Sequence, residues 1–301
     1  MGTSTAGVAG TRERVDALVA LAGPTGLMIA ADQEGGQVQR LKGPGFAAIP
    51  PAVEQADLGD EGLTEAATAW AGQLAEAGVD LNLAPVADVV PDEIDSDNEP
   101  IGALQRGYGP TPGLVGDRVV AYIAGMHAGG VGTSVKHFPN LGRVQRNTDF
   151  AAEVVDSETT PDDPALEPFR RAIEAGTETV MVGTAVYDQI DPDQPAAFSP
   201  AVVGLLRADL GFSGVVVSDD LGVAEAVAGV PPEDRAVRFV LAGGDLAISA
   251  DVTVAATMVA GLVAAAEDDD ALADRVRQSA LRVVELKRAL GVTSCGAASD
   301  G

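Results

Sequence analysis

The chain has 301 residues, 46% of them hydrophobic and 4% aromatic, and sets 19 Lys and Arg against 45 Asp and Glu for a formal net charge of −26. A polyanion of this kind is repelled by nucleic acid and by anionic lipid surfaces, which are bound through Lys and Arg, while the recurring Val, Leu and Ala blocks speak against disorder. The lone Cys295 can form neither an internal disulfide nor a multi-cysteine metal site, and no apolar run reaches the roughly 18 residues of a membrane span.

In chain order, residues 1–26 read as a helix over 12–21 followed by a turn. A strand follows over 27–32 (LMIAAD), then a helix whose Leu63, Ala67, Trp70 and Leu74 share one face. The next strand is 79–84 (VDLNLA), and the acidic stretch 91–100 reads as a solvated loop, since it lacks the glycine and final glutamate of a calcium-binding loop. Val115, Val119, Ile123 and Met126 mark a second helix, in which His127 reads as structural. Strands at 131–137 (VGTSVKH) and 179–185 (TVMVGTA) flank a helix carrying Leu166, Phe169 and Ile173. Ser199 before Pro200 reads as an N-cap opening a helix through Leu205, Leu206 and Leu210. Strands at 214–219 and 244–249 come next, and the last helix carries Leu272, Val276, Ala280, Val283 and Leu290 and stops at Gly291.

Near-continuous apolar strands alternating with helices predict an α/β fold built on a parallel sheet. Polar residues cluster where these strands end: Asp32, Asp88, Lys136 with His137, and Asp219 with Asp220. That placement favours a TIM-type (β/α)8 barrel, which builds its site at the C-terminal ends of its strands. Neither G-x-G-x-x-G nor the P-loop pattern is present, which disfavours a nucleotide-binding sheet.

Four stretches carry a resemblance: ADQEGGQVQRL at 31–41; GVDLNLAPVADV at 78–89 with NEPIGALQRGYG at 98–109; VKHFPNLG at 135–142; and FSPAVVGLLRADLGFSGVVVSDDLG at 198–222. From about residue 27 to the last helix the chain resembles the N-terminal barrel domain of glycoside hydrolase family 3, in its single-domain β-N-acetylglucosaminidase branch. The resemblance implies a retaining hydrolase of terminal β-linked amino sugars, with Asp219 as nucleophile. It also implies Asp32, Arg40, Arg106, Lys136 and His137 as groups that hold sugar hydroxyls. The chemistry agrees: carboxylates accept from vicinal hydroxyls, and Lys and Arg donate to them. A retaining glycosidase also needs an acid about 5–5.5 Å from the nucleophile. The competing structural readings are an N-cap for Asp219, a role Asp220 fits better, and a barrel-floor ion pair for Lys136 and His137.

The branch normally follows KHFPGHG with Asp-Ser-His, whose His is the acid/base. Here Asn147 stands at the Asp position and Asp149 at the His position. In one reading Asp149 replaces the acid/base, its pKa raised by burial and by Asp219, with Asn147 supplying a hydrogen bond. In the other, the chain is a catalytically impaired sugar-binding paralogue. Thr184 likewise stands where the family usually has His in M-x-x-H-x-x-Y. A metal-dependent barrel hydrolase would need His clusters, and the chain has only His127 and His137. The reading calls for no cofactor and no metal; its partner is a carbohydrate, an amino-sugar glycoside or cell-wall fragment.

Six strands are visible where a barrel has eight. Either the first one or two βα units are missing in front of residue 27, or the barrel is open with exposed edges. The expected organisation is a helix-and-turn remnant over 1–26, the barrel domain over 27–292 and a disordered tail over 293–301. The first residues, MGTSTAGVAGTRERVD, have no basic and apolar leader, which reads as soluble and cytoplasmic; a signal or lipid anchor would be lost with a missing N-terminus.

Overall fold

The structure is a computed structural model that describes residues 2–293; from residue 294 on, the expected tail and Cys295 lie outside the described residues. Six strands form one parallel sheet: β1 (Ala30–Ala31), β2 (Leu81–Asn82), β3 (Gly132–Phe138), β4 (Thr179–Val182), β5 (Val215–Asp220) and β6 (Leu246–Ile248). Each pairs in parallel with the strand before it in the sequence. That unreversed order is the winding of a (β/α) barrel; a doubly wound sheet reverses at a switch point. All six fall on the expected segments.

The sheet is curled. Met28, just before β1, shares side-chain clusters with Ile248 of β6 and with Leu290, so the two edge strands bend toward each other across the interior. Among the described residues, β1 and β6 are not hydrogen-bonded to each other.

Among the described residues, seven helices of eight or more residues surround the sheet: α1 (Gly7–Val19), α2 (Gly59–Glu76), α3 (Pro112–Ala128), α4 (Glu167–Glu174), α5 (Pro232–Ala242), α6 (Val252–Asp268) and α7 (Asp270–Ala289). Leu63, Ala67, Trp70 and Leu74 are buried on α2, and Val115, Val119, Ile123 and Met126 on α3, as their spacing predicts. The two helices lie close because α3 turns glycines to α2: a Cβ on Gly125 would stand 2.5 Å from the Ala67 Cβ. Thr111 and Pro112 begin α3, the Thr111 hydroxyl accepting from the Leu114 N–H at 3.4 Å.

Two expectations change in detail. Ser199 caps its helix, accepting from the Val202 N–H at 3.2 Å, but regular α-helix ends at Gly204 and a π-helical turn covers Leu205–Asp209. The helix expected over 12–21 begins earlier, at Gly7, and buries Val8 and Val15; Ser4 bridges Leu41, docking residues ahead of 27 on the sheet domain. Helices α5 and α6 were not expected. From Val252 to Ala266, α6 has no charged residue, so its sequence lacks the polar-apolar rhythm that reveals an amphipathic helix. Among the described residues, no helix is long and apolar enough to cross a membrane.

Candidate active site

The C-terminal ends of the strands open into a cleft of about 650 Å³ that is lined by all seven residues singled out in the sequence: Asp32, Arg40, Arg106, Lys136, His137, Asp149 and Asp219. They arrive from four strand ends and two loops.

Asp32 and Arg40 flank the hairpin formed by Gln33–Gly35 and Val38–Gln39. Gln33 fixes its base, accepting from the Leu41 N–H at 2.9 Å and donating to the Leu41 carbonyl at 2.8 Å. Asn82 of β2 ties Gln33 to the sheet, accepting from its N–H at 3.0 Å. Gly35, at φ +118°, lies so close to Pro50 that a Cβ would meet its carbonyl oxygen at 2.3 Å, so the turn requires glycine.

The ladder of β2 continues past its assigned end. Lys136 donates through its N–H to the Pro85 carbonyl at 3.1 Å, and Ala87 donates to the Lys136 carbonyl at 2.6 Å, which carries Asp88 alongside His137. Lys136 and His137 both face the cleft although successive strand residues ordinarily alternate; the pairing of β3 with β4 shifts register between Val135 and Phe138, an irregularity that re-aims side chains. A second shift, between Val217 and Asp220, lies where β5 delivers Asp219.

The floor is a connected set of charges. Lys136 Nζ lies 2.8 Å from Asp32 Oδ1 and 2.6 Å from Glu34 Oε1. Arg106 donates to both oxygens of Glu34 at 2.8 Å, and to the Pro100 carbonyl at 2.7 Å. It also contacts His137 Nε2 at 3.3 Å; as guanidinium can only donate, that nitrogen accepts, leaving the Nδ1–H for Asp88 Oδ2 at 2.7 Å. Asp88 takes the Leu141 N–H at 2.6 Å as well. Burial opposes the charge on Lys136, but Asp32 and Glu34 outweigh it and raise its pKa, so the ammonium stays charged. Burial likewise opposes ionisation of Glu34, and Arg106 and Lys136 overcome it, holding the carboxyl far below the usual range. The ion pair expected as the structural alternative for Lys136 is therefore real, and the same ammonium lines the cleft. Two buried polar atoms of the cleft residues, Asp32 Oδ2 and Arg40 Nε, have no partner; such atoms ordinarily find one.

Asp219 and Asp220 divide the work at the end of β5. Asp220 is buried and accepts from the backbone N–H groups of Gly222 at 2.7 Å and Ala250 at 3.1 Å, the capping role expected of it, although a turn and a 3₁₀ segment follow where a helix was expected. Among the described residues, Asp219 accepts only the N–H of Asp220, at 2.8 Å, and it lines the cleft.

Asp149 lines the same cleft and is exposed. Partial burial, then the Asp219 charge, push its carboxyl above the ordinary range, tempered by solvent at this exposed residue. Asn147 does not bond that carboxyl; its Oδ1 accepts from the Asp149 backbone N–H at 2.9 Å, closing the loop. The loop is pinned from below, as Ala226 and Glu225 donate to the carbonyls of Thr148 and Asp149 at 3.1 and 3.3 Å. Thr184 is buried, its hydroxyl unpartnered, and does not line the cleft. His127 lies outside the site, Nε2 3.1 Å from Glu178, whose hydrogen bond raises its pKa. Among the described residues, no group of three or more His, Cys, Asp or Glu is placed to hold a metal ion.

Residues 3–286 match the model of the glycosyl hydrolase family 3 N terminal domain. The chain belongs to this family. A β-hexosaminidase of Xylella fastidiosa (strain M23) is 39% identical over 219 residues, covering 69% of this chain and 62% of that protein. One from Stenotrophomonas maltophilia (strain R551-3) is 35% identical over 231 residues, covering 72% of this chain and 65% of its own length. The match thus spans less than two thirds of these curated relatives. Among solved family 3 structures, the β-N-acetylhexosaminidase of Beutenbergia cavernae DSM 12333 superposes with a TM-score of 0.94 at 47% identity, covering 97% of this chain and 88% of that one.

The family motifs account for the residues found from sequence. They leave Glu34 and Asp88 without a role; these carboxylates act on Lys136, Arg106 and His137 and do not line the open cleft. Glu34 sits inside the quoted ADQEGG stretch, and Asp88 at a strand end; what was invisible is that both carboxylates turn toward the cations.

Proposed function

We propose that the protein is a retaining glycoside hydrolase acting on terminal β-linked N-acetylhexosaminides, with Asp219 as nucleophile and Asp149 as acid/base. The observation that carries this reading is that two carboxyl side chains, Asp219 and Asp149, line one cleft, Asp219 without an ion-pair partner among the described residues. A retaining mechanism uses two carboxyl groups at the scissile bond, one as nucleophile and one as acid/base, and a raised pKa suits the second role. The names of the relatives supply the sugar class. Lys136, Arg106, Arg40 and Asp32 offer the mixture of donors and acceptors that amino-sugar hydroxyls and an acetamido carbonyl require.

In this mechanism the Asp219 carboxylate attacks the anomeric carbon as the Asp149 carboxyl gives its proton to the leaving oxygen. A water then gives its proton back to Asp149 and opens the ester on Asp219, with net retention. Because the Asp149 pKa is raised, the carboxyl stays protonated to a higher pH than a free Asp. The first half-reaction therefore slows as pH rises through that value.

The test is hydrolysis of a chromogenic N-acetyl-β-glucosaminide. Asp219→Asn abolishes turnover, and Asp149→Asn lowers kcat/KM by about 10²–10⁴-fold and removes the alkaline limb of the pH profile. No change in Asp149→Asn would contradict its role. One observation favours a second reading, sugar binding without turnover: no side chain holds the Asp149 carboxyl among the described residues. Wild type that binds N-acetylglucosamine but cleaves no aryl glycoside would establish it.

A further inference from the structure

The floor of the cleft is polar, but one stretch of its rim is apolar. Phe150 follows Asp149 directly and lines the cleft with 79% of its surface exposed. Of the seven phenylalanines, Phe138, Phe169, Phe198, Phe212 and Phe239 are buried and Phe46 is half-buried. Phe150 is thus the exception, in a chain poor in aromatic residues. Val223 lines the same cleft at 56% exposure, four residues beyond Asp219.

Neither position is a loose loop tip. The Phe150 N–H donates to the Asn147 carbonyl at 3.1 Å, and Thr148, two residues earlier, is buried and anchored by Ala226. The Val223 N–H donates to Asp220 Oδ1 at 3.3 Å, on the side chain that also binds Gly222. The Glu225 N–H donates to the Asp149 carbonyl, which joins the Phe150 and Val223 segments to each other. The hydrogen bonds fix the backbone at both positions, so both apolar side chains stay at the cleft rim and exposed to water before any ligand arrives.

We propose that Phe150 and Val223 form the leaving-group subsite, an apolar platform that takes an aromatic aglycone or the apolar face of a second sugar. The placement follows from the proposed chemistry, on which this inference rests. An acid at Asp149 must reach the glycosidic oxygen, so the residue beside it borders the group that departs. The sugar that is retained lies over Asp219 on the polar floor. An exposed ring can stack on a planar or C–H-rich surface, a contact that a polar rim does not offer.

The test compares two ligands by calorimetry: N-acetylglucosamine, which occupies the floor alone, and phenyl 1-thio-N-acetyl-β-glucosaminide, whose sulfur linkage resists cleavage and whose phenyl group reaches the rim. In wild type the phenyl compound binds more tightly. Phe150→Ala weakens it roughly three- to tenfold, and adding Val223→Ser weakens it further, while N-acetylglucosamine stays within about twofold. An unchanged affinity of Phe150→Ala for the phenyl compound overturns the subsite and leaves the hydrolase reading standing. Equal weakening of both ligands also overturns it, as the ring would then act on the floor. Failure of wild type to bind either compound overturns the hydrolase reading and the subsite with it.

Discussion

Glu34 is the carboxylate that touches both cations of the cleft floor, accepting from Arg106 through two oxygens and from Lys136 through one. Removing its charge leaves Lys136 with Asp32 alone as its ion-pair partner and Arg106 buried with only the charges of Asp88 and Asp32 acting on it. Glu34→Gln should therefore cost about 3–5 kcal/mol in urea unfolding, the range for breaking one side of a buried ion pair; a change below about 0.5 kcal/mol would show that the cations are solvated without it. The pH dependence has a definite sign. Since the folded pKa of Glu34 is depressed, its contribution is complete above the unfolded value of about 4.3 and is lost as pH falls through the folded value. Asp32, Arg40, Lys136 and His137 were legible because they lie in distinctive motifs. Asp88 was legible at a strand end but without a role, and Glu34 was not picked out, because among 45 acids nothing in the order of residues distinguishes a carboxylate that orients a neighbour from one that faces solvent.

At the level of elements, Asp245 joins the base of β6 to α7 and to the π-helical turn. Its fully buried carboxylate pairs with Arg207, accepts from Arg275 and Arg282 at 3.2 Å and from Ser279 at 3.0 Å, and takes the Val216 N–H at 2.9 Å. Asp245→Asn should lower the thermal midpoint by destabilising the fold about 3–5 kcal/mol; an unchanged midpoint would mean that the three guanidiniums are satisfied by backbone carbonyls alone. The contact between α2 and α3 depends instead on the absence of a side chain. Gly125→Leu drives atoms into Ala67 and the Thr64 carbonyl, and should cost at least about 1–3 kcal/mol, whereas Gly113→Ala, with open space around it, should cost little. The six strands were readable because each lies in a short run rich in apolar residues, several of them ending in polar side chains. Helix α6 escaped because it is uncharged over most of its length, and the sheet of Val155–Asp156, Val186–Tyr187 and Asp191–Pro195 because two of its strands have two residues each and the third is polar with two prolines.

For the whole molecule, the barrel winding was legible in the alternation of elements and in the polar strand ends, since both follow from the parallel sheet. The motif position of Asp149 led to the expectation that the Asp219 charge acts on it; what was not legible is the loop that holds Asp149 in the cleft, because it is pinned by the backbone N–H groups of Glu225 and Ala226, which any sequence could supply. The net charge of −26 acts on the molecule as a whole. Self-repulsion is screened by salt, so raising NaCl from about 10 mM to about 0.5 M should raise the thermal midpoint; a fall would mean that internal ion pairs such as those of Asp245 dominate. The charge does not prevent the cleft from holding its own balanced set of Lys136, Arg106, Asp32 and Glu34, beside which Asp219 has no ion-pair partner among the described residues. Incubation with a slow-reacting 5-fluoro glycosyl fluoride of N-acetylglucosamine, followed by digestion and mass spectrometry, identifies the residue that carries the sugar. The adduct should lie on Asp219 and be absent from Asp219→Asn; an adduct on another side chain, or hydrolysis that proceeds with none, would contradict Asp219 as the nucleophile.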